Sequence, residues 1–569
     1  MIDILKQRFA AALTAITDDA EAYLDSIRPA NDPKFGDYQA NLAMPLAKKL
    51  SQPPRNVAQQ IIANLNIGDI CEEPEIAGPG FINLRLKNTF ITEQLQKAAA
   101  DTERLGVPVI DSAKRKTYIV DYSGPNVAKP MHVGHIRSTV IGSALARMLR
   151  FQGHNVITDN HLGDWGTQFG MIIYGYRNYL DRQAYQQNPV EELSRVYKIV
   201  RGKIDEPDEE TAAAVLNETA KLHSGSEDNL KIWHEVLPYS KDEIDRIYRR
   251  LNITFDYTLG ESFYQPMLAD TVDDLLRQGI AKESDGAVGV FFDGDEVPFL
   301  VRKKDGAFLY GTTDLATVKY RLKKFKPDAV LYVVDFRQTL HFEHLFKTVR
   351  LLGINDVELT HIKFGTVLGE DGKPFKTRSG DTVGLNGLLD EAVRHAESLR
   401  SKEAEAITSG TSSAAEKIGI GAIIYADLSQ NRESDYVFSY DKMLAMNGNT
   451  AAYMQYAYAR IQSIFSRGNY TPSADGALQI EHPAERALGI ELLKFGEVLD
   501  GALRDYRPNF LTAYLFELAN RYSSFFEQCP VLKADSEELR TSRLNLCALT
   551  ARTLQKGLEL LGIETVERM

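Results

Sequence analysis

The segment PNVAKPMHVGHIRST (125–139) places His132 and His135 on either side of Gly134, after a short β-branched and aromatic run and at the start of a helical pattern. A glycine there lets a phosphate or adenine approach the backbone closely, and a helix N-terminus offers unpaired N–H groups to anionic oxygens. Imidazoles can donate hydrogen bonds to a transferring phosphoryl group as its charge develops. Two histidines three apart are a weak signal alone; the strand, the glycine, the helix and nearby Lys129 give it direction.

Three further clusters carry chemistry. NHLGDWGTQFG (160–170) mixes three glycines with Asp164, Trp165 and Gln168, which suits the wall of a pocket, or else a strand-to-helix connection packed by Trp165. GTVLGEDGKPFKTRSGD (365–381) sets Lys373, Lys376 and Arg378 in a glycine-flanked loop whose cations could close over a triphosphate. It lacks P-loop spacing, and a solvated basic turn is the plainer alternative. AFLYGTTDLATVKYR (307–321) puts Tyr310 four residues before Asp314, where both could face one pocket. An aspartate is a natural partner for a guanidinium, although a packed aromatic and a helix cap are the ordinary use of such a pair.

These residues need a scaffold, and the chain predicts one of α/β class. KTYIVDYS (116–123) and NVITDN (155–160) read as strands opening onto glycines, with a helix from about Gly134 to Arg150 between them. Ala329 to Val334 and Leu359 to Phe364 are the later strands of a parallel sheet whose ligands belong at its carboxyl ends. Residues 175–255 are charged, helical and inserted. Before them, residues 1 to about 110 predict a separate α+β module: helices over Ile4–Tyr23, Gln39–Leu50, Val57–Leu65 and Ile91–Leu105, and a strand in GPGFINLRL. Beyond Ile418 five amphipathic helices predict an all-α bundle, with a small-residue interruption around TSGTSS before it.

Composition narrows the class. The chain has 569 residues, 44% of them hydrophobic and 25% charged, which is ordinary for a multidomain globular protein. No stretch reads as a signal peptide or a membrane span. Three dispersed cysteines form no metal-ligand spacing and fit a reducing cytoplasm better than a disulfide scaffold. The net charge of -12 does not advertise a nucleic-acid binder, yet RKK (302–304) and RLKKFK (321–326) could meet phosphates. Tyr453, Tyr456, Tyr458 and Tyr522 are available for stacking on bases, unless helical periodicity puts them in the core.

HVGH within DYSGPNVAKPMHVGHIRSTVIG, together with NHLGDWGTQFG, LGESFY (259–264), GTTDLA and DYVFSYDKMLAMNGNTAAYMQYAYARIQSI (435–464), resembles the arginyl-tRNA synthetase family of class I. FGDYQ and GPGFINLRL resemble its bacterial form, so the likeness covers essentially the whole chain. The resemblance implies a Rossmann-like parallel-sheet catalytic domain with insertions over 111–400 and an N-terminal additional tRNA-binding domain over 1–110. A linker with connecting helices at 401–445 and a C-terminal helical anticodon-binding domain at 446–569 complete it. It also implies an ATP-dependent ligase that activates L-arginine to an adenylate and transfers it to tRNA(Arg), with activation requiring bound tRNA. ATP would sit against His132, Gly134, His135, His161, Gly163 and Lys376. Arginine would sit against Asp121, Asn126, Tyr310, Asp314 and Gln338, with Asp121 at its amino end and Asp314 at its guanidinium. The usual KMSKS signature is not intact: PFKTRSG (374–380) stands there, leaving Lys376 and Arg378 as its remnants, and the family pattern implies that Lys129 supplies the missing charge. Mg2+ would be held chiefly by ATP oxygens with no protein metal site, and the acting unit would be a cytoplasmic monomer. Two rival classes share parts of this pattern: a nucleotidyltransferase acting on a small acid without tRNA, and a tRNA-binding relative without activity.

Overall fold

The computed structural model describes residues 1–127, 129–206, 208–375, 384–399, 414–473 and 476–569. Lys376, Arg378 and TSGTSS therefore lie outside the described residues.

Four parallel strands form the central sheet, in the order Glu358–His361, Ala329–Tyr332, Thr117–Asp121, Asn155–Asp159. In the two middle strands Ile119, Val120, Val330 and Leu331 are buried, as both-face coverage demands, while Val156, Ile157 and Leu359 of the outer strands are partly buried. The chain leaves Thr117–Asp121 toward one neighbour and returns on its other side, so a crevice opens between that strand and Ala329–Tyr332. Register brings Tyr332, Asp121 and Asp159 abreast at the carboxyl ends. The helix Gly134–Gln152 begins at this crevice and is buried along most of its length.

Residues 167–250 form the helical insertion, as Thr167–Asn178, Arg182–Gln187, Pro189–Asp205, Glu209–His223 and Glu227–Arg250. A three-stranded antiparallel sheet follows, Ala281–Ser284, Ala287–Val290 and Phe299–Arg302, which the sequence did not predict because AKES carries a single apolar residue, Gly289 interrupts AVGV, and acidic stretches separate the strands.

At the N-terminus the strands Ile27–Pro29 and Tyr38–Ala40, the helices Ala43–Leu50 and Pro54–Asn64, and the strands Glu75–Ala77 and Phe81–Leu84 follow in that order, the four strands forming one antiparallel sheet. The first helix is Ile2–Leu13, and Glu21–Ser26 is a separate 3-10 turn, not a continuation to Tyr23. Gln39 belongs to the strand Tyr38–Ala40, and the next helix starts at Ala43. This region is docked, not free: Arg486 of the helix Pro483–Leu493 forks onto Asp37 at 2.9 and 2.7 Å and donates to the Leu86 carbonyl.

The C-terminal region is helical, with Ala451–Gly468, Pro483–Leu493, Phe495–Arg504, Asn509–Gln528 and Glu537–Leu560. The preceding helix Ala414–Leu428 is buried nearly all round, so it is a central and not an amphipathic element. The helices Pro483–Leu493 and Phe495–Arg504 meet at Lys494. Among the described residues no helix is long and apolar enough to cross a membrane.

Candidate active site

The crevice at the sheet's carboxyl edge is a cleft of about 460 Å3 lined by, among others, Asp121, Asn126, His132, Gly134, His135, His161, Asp314, Arg337 and Gln338. Eight of the sequence candidates line it, Asp121, Asn126, His132, Gly134, His135, His161, Asp314 and Gln338, whereas Lys129, Gly163 and Tyr310 do not.

HVGH is built by its own backbone. The N–H of Gly134 donates to His132 Nδ1 at 3.1 Å, and a Cβ at Gly134 would lie 2.9 Å from His132 Cε1. His135 Nδ1 lies 3.1 Å from the His132 amide nitrogen and 3.3 Å from its carbonyl oxygen; the shorter contact makes it an acceptor too. Both rings therefore carry their proton on Nε2, and stand 4.0 Å apart between centroids. Burial pulls His132 below the ordinary histidine range, aided by Lys129 and Arg337. Burial, then the neighbouring His132, takes His135 down to about 3. These are neutral N–H donors at physiological pH, the form that can meet a developing phosphoryl charge without adding a proton.

The loop feeding them is held under strain. Ser123 has φ +73°, and it is pinned by Ser138 Oγ at 2.8 Å to its N–H and by Thr139 and Tyr248, each 2.8 Å from its hydroxyl. Asn126 and Gly163 form an isolated parallel β-bridge, and a Cβ at Gly163 would stand 2.2 Å from Asn126 Oδ1. Gly163 is thus the wall behind Asn126. Elsewhere in NHLGDWGTQFG both readings hold: His161 reaches the cleft, Asp164 accepts from Ser262 N–H and Oγ at 2.8 and 2.7 Å, and Trp165 packs edge-on to Trp233.

Acidic groups dominate the other side. Tyr310 begins the helix Tyr310–Phe325 and is 66% exposed, outside the cleft lining, while Asp314 one turn later lines it. Asp314 Oδ2 accepts a 2.6 Å hydrogen bond from His341 Nε2. Asp121 lines the cleft with one oxygen committed to Arg321 at 2.7 Å, and the same guanidinium reaches Asp159 at 2.8 Å. Arg321 is wholly buried, which corrects its expected place in a phosphate-facing surface string. Burial disfavours its charge, but Asp121 and Asp159 hold it protonated. Of the candidate stacking tyrosines, Tyr458 and Tyr522 are core, Tyr453 is partly buried and Tyr456 is exposed.

Lys129 turns toward the insertion, its ammonium 5.6 Å from the Tyr197 ring centroid, and is not part of the cleft lining although its charge reaches His132. Two residues carried no motif signal. Arg337 enters the cleft forked onto Asp335 at 2.8 Å through both Nε and Nη2. Glu261 has its carboxyl pushed up to about 7: burial is the main cause, His161 opposes it, and the charges of Asp164 and Asp314 add to it. Only the LGESFY likeness pointed at that segment.

Comparison with known proteins accords with this geometry. The family description "Arginyl tRNA synthetase N terminal domain" matches residues 3–86, "tRNA synthetases class I (R), catalytic domain" residues 95–440, and "DALR anticodon binding domain" residues 454–569. The chain is 45% identical to an arginine--tRNA ligase of Rhodopirellula baltica over 670 aligned positions, covering 100% of this chain and 99% of that one. It is 46% identical to one of Nostoc sp., covering 99% of each. Among solved structures it is similar to the arginyl-tRNA synthetase of Plasmodium falciparum, with TM-score 0.83 and 31% identity over 100% of this chain and 99% of that one. The Thermus thermophilus arginyl-tRNA synthetase shares the fold, with TM-score 0.84 and 24% identity over the whole of both chains.

Proposed function

The chain belongs to the arginyl-tRNA synthetase family of class I, and from that premise we propose that its cleft activates L-arginine with ATP and transfers it to tRNA(Arg), releasing AMP and pyrophosphate. The observation that carries this reading is one cleft lined by both the neutral pair His132 and His135 and the carboxylate of Asp314.

The arginine carboxylate attacks the α-phosphorus of ATP, and pyrophosphate leaves. The terminal ribose hydroxyl of tRNA then attacks the adenylate carbonyl and AMP leaves. No enzyme nucleophile is needed; the protein aligns reactants and stabilises charge. His132 and His135 donate Nε2–H to phosphate oxygens, with Gly134 N–H bound inward to His132. Asn126 and Gln338 are assigned to the arginine backbone, Asp121 to its amino end, and Asp314 to its guanidinium, with Glu261, whose carboxyl feels the charge of Asp314, as a second acceptor. His161 and Gly163 back the adenosine side. Lys129, Lys376 and Arg378 are assigned to the triphosphate by family likeness, as are the N-terminal and C-terminal regions to the corner and the anticodon of tRNA. Magnesium is assigned to ATP oxygens, because Asp121 and Asp335 beside the cleft are already engaged by Arg321 and Arg337. A monomeric, cytoplasmic enzyme is assigned by family likeness alone.

The test is charging of total tRNA with ATP and each of the twenty amino acids, with pyrophosphate exchange run with and without tRNA. Charging by arginine is expected, with exchange appearing only when tRNA is present. Adenylate formation with some other acid and no charging would move the protein to the nucleotidyltransferase class.

A pH prediction follows from Glu261. Its carboxyl must be ionised to pair with a guanidinium, and its pKa of about 7 leaves much of it protonated in mildly acidic solution. The kcat/KM for arginine should therefore rise with pH through about 7, and arginine binding below that pH should release a proton. Glu261→Gln is expected to flatten that limb while lowering the plateau. A limb unchanged in the Gln variant would remove Glu261 from the pocket.

A further inference from the structure

His341 has no part in the reaction as described, yet it makes the 2.6 Å contact to Asp314 Oδ2. It sits in the first turn of the helix Thr339–Leu351, directly after Gln338, and Asp314 sits in the second turn of Tyr310–Phe325. The two helices thus cross at this hydrogen bond. The ring is fixed from two sides, by Phe299 with centroids 5.6 Å apart and by Phe342 at 5.4 Å. Phe299 comes from the three-stranded sheet, so three elements determine where the Nε2–H points.

A carboxylate free to turn about its last torsion can offer both oxygens, side by side, to a guanidinium or either oxygen to an ammonium. A carboxylate with one oxygen already taken has a set plane and one remaining oxygen. A planar guanidinium then meets Asp314 through Oδ1 at a fixed angle and turns its other N–H groups toward a second acceptor, for which Glu261, whose carboxyl feels the charge of Asp314, is the candidate. An ammonium, a compact charge with rotatable donors, gains little from that fixed plane.

We propose that His341 is a specificity-determining positioning residue, which orients Asp314 so that the pocket reads the planar shape of a guanidinium and not merely its charge. This rests on the arginine-activating reading above.

The experiment compares wild type, His341→Leu and His341→Gln in arginine charging of tRNA, reading KM for arginine and for ATP, inhibition by lysine, and Tm. The Leu variant removes the donor. The Gln variant keeps an N–H near the position of Nε2. His341→Leu is expected to raise arginine KM about tenfold, the scale of a hydrogen bond to a charged group. ATP KM should stay unchanged, and lysine should inhibit relatively better against arginine. His341→Gln should restore most of the arginine KM. Equal defects in both variants, or ATP KM moving together with Tm, would overturn the proposal in favour of a packing role, and an unchanged Leu variant would overturn it outright. Failure of the wild-type protein to charge arginine overturns the parent function instead, and normal wild-type charging keeps the two readings apart.

Discussion

Asp314→Ala is expected to lose arginine use while keeping ATP affinity and fold. Asp314 is the cleft carboxylate assigned to the guanidinium, its side chain is only 25% exposed, and His341 already occupies one of its oxygens. Removing it takes away the charged partner of a desolvated cation and leaves His341 without its acceptor. Truncating one member of such a pair costs about 2–5 kcal/mol. At about 1.4 kcal/mol per factor of ten, the middle of that range predicts a rise in arginine KM of about a hundred- to a thousandfold. Asp314→Asn keeps the shape and the His341 contact but not the charge, so it separates electrostatics from packing. Both variants should show normal ATP KM at saturating arginine, since the phosphate contacts are assigned to His132 and His135 and not to Asp314. The measurement is tRNA-dependent pyrophosphate exchange titrated with arginine. Unchanged arginine dependence in either variant would take Asp314 out of the pocket and make its bond to His341 purely structural.

The sequence was most legible where chemistry and local structure coincide. The strand Thr117–Asp121, the HVGH turn and the helix from Gly134 are contiguous, so period and glycine placement were enough to bring His132 and His135 to a sheet edge. Asp314 reaches the same cleft, although Tyr310, which begins its helix and was expected to share its pocket, stands outside the lining. What failed were features decided by partners far away in the chain. Arg321 read as one more cation in a basic string; its aspartates lie 162 and 200 residues earlier, and only the fold turns it inward. Glu261 gave no sign of a raised pKa, since that comes from enclosure beside Asp164 and Asp314. Lys129 shows the converse. Its nearness in sequence to HVGH suggested the cleft, but Tyr197 on an inserted helix attracts its ammonium. Local grammar located the donors, and tertiary packing decided which charges face them.

That division bears on the largest catalytic effect, expected for His135→Ala. Its Nε2–H is assigned to the phosphoryl oxygens, and its Nδ1 is tied to the His132 backbone, so the donor is preorganised and needs no rearrangement when charge develops. A donor of this kind is worth about a hundred- to a thousandfold in kcat. Arginine KM should change little, because the arginine side of the cleft is untouched. The pH profile adds a sharper constraint. With its pKa at about 3, His135 is neutral throughout the working range, so wild-type kcat should carry no limb near the ordinary histidine pKa from this residue. A protonated imidazole acting as a cation would instead make kcat fall as pH rises through that point. Single-turnover adenylate formation with tRNA present distinguishes these cases. A near-normal rate in His135→Ala would remove the residue from the chemistry. A wild-type falling limb near pH 6.5 that vanishes in the variant would keep His135 in the chemistry but make it a charged group, against the burial that lowers its pKa.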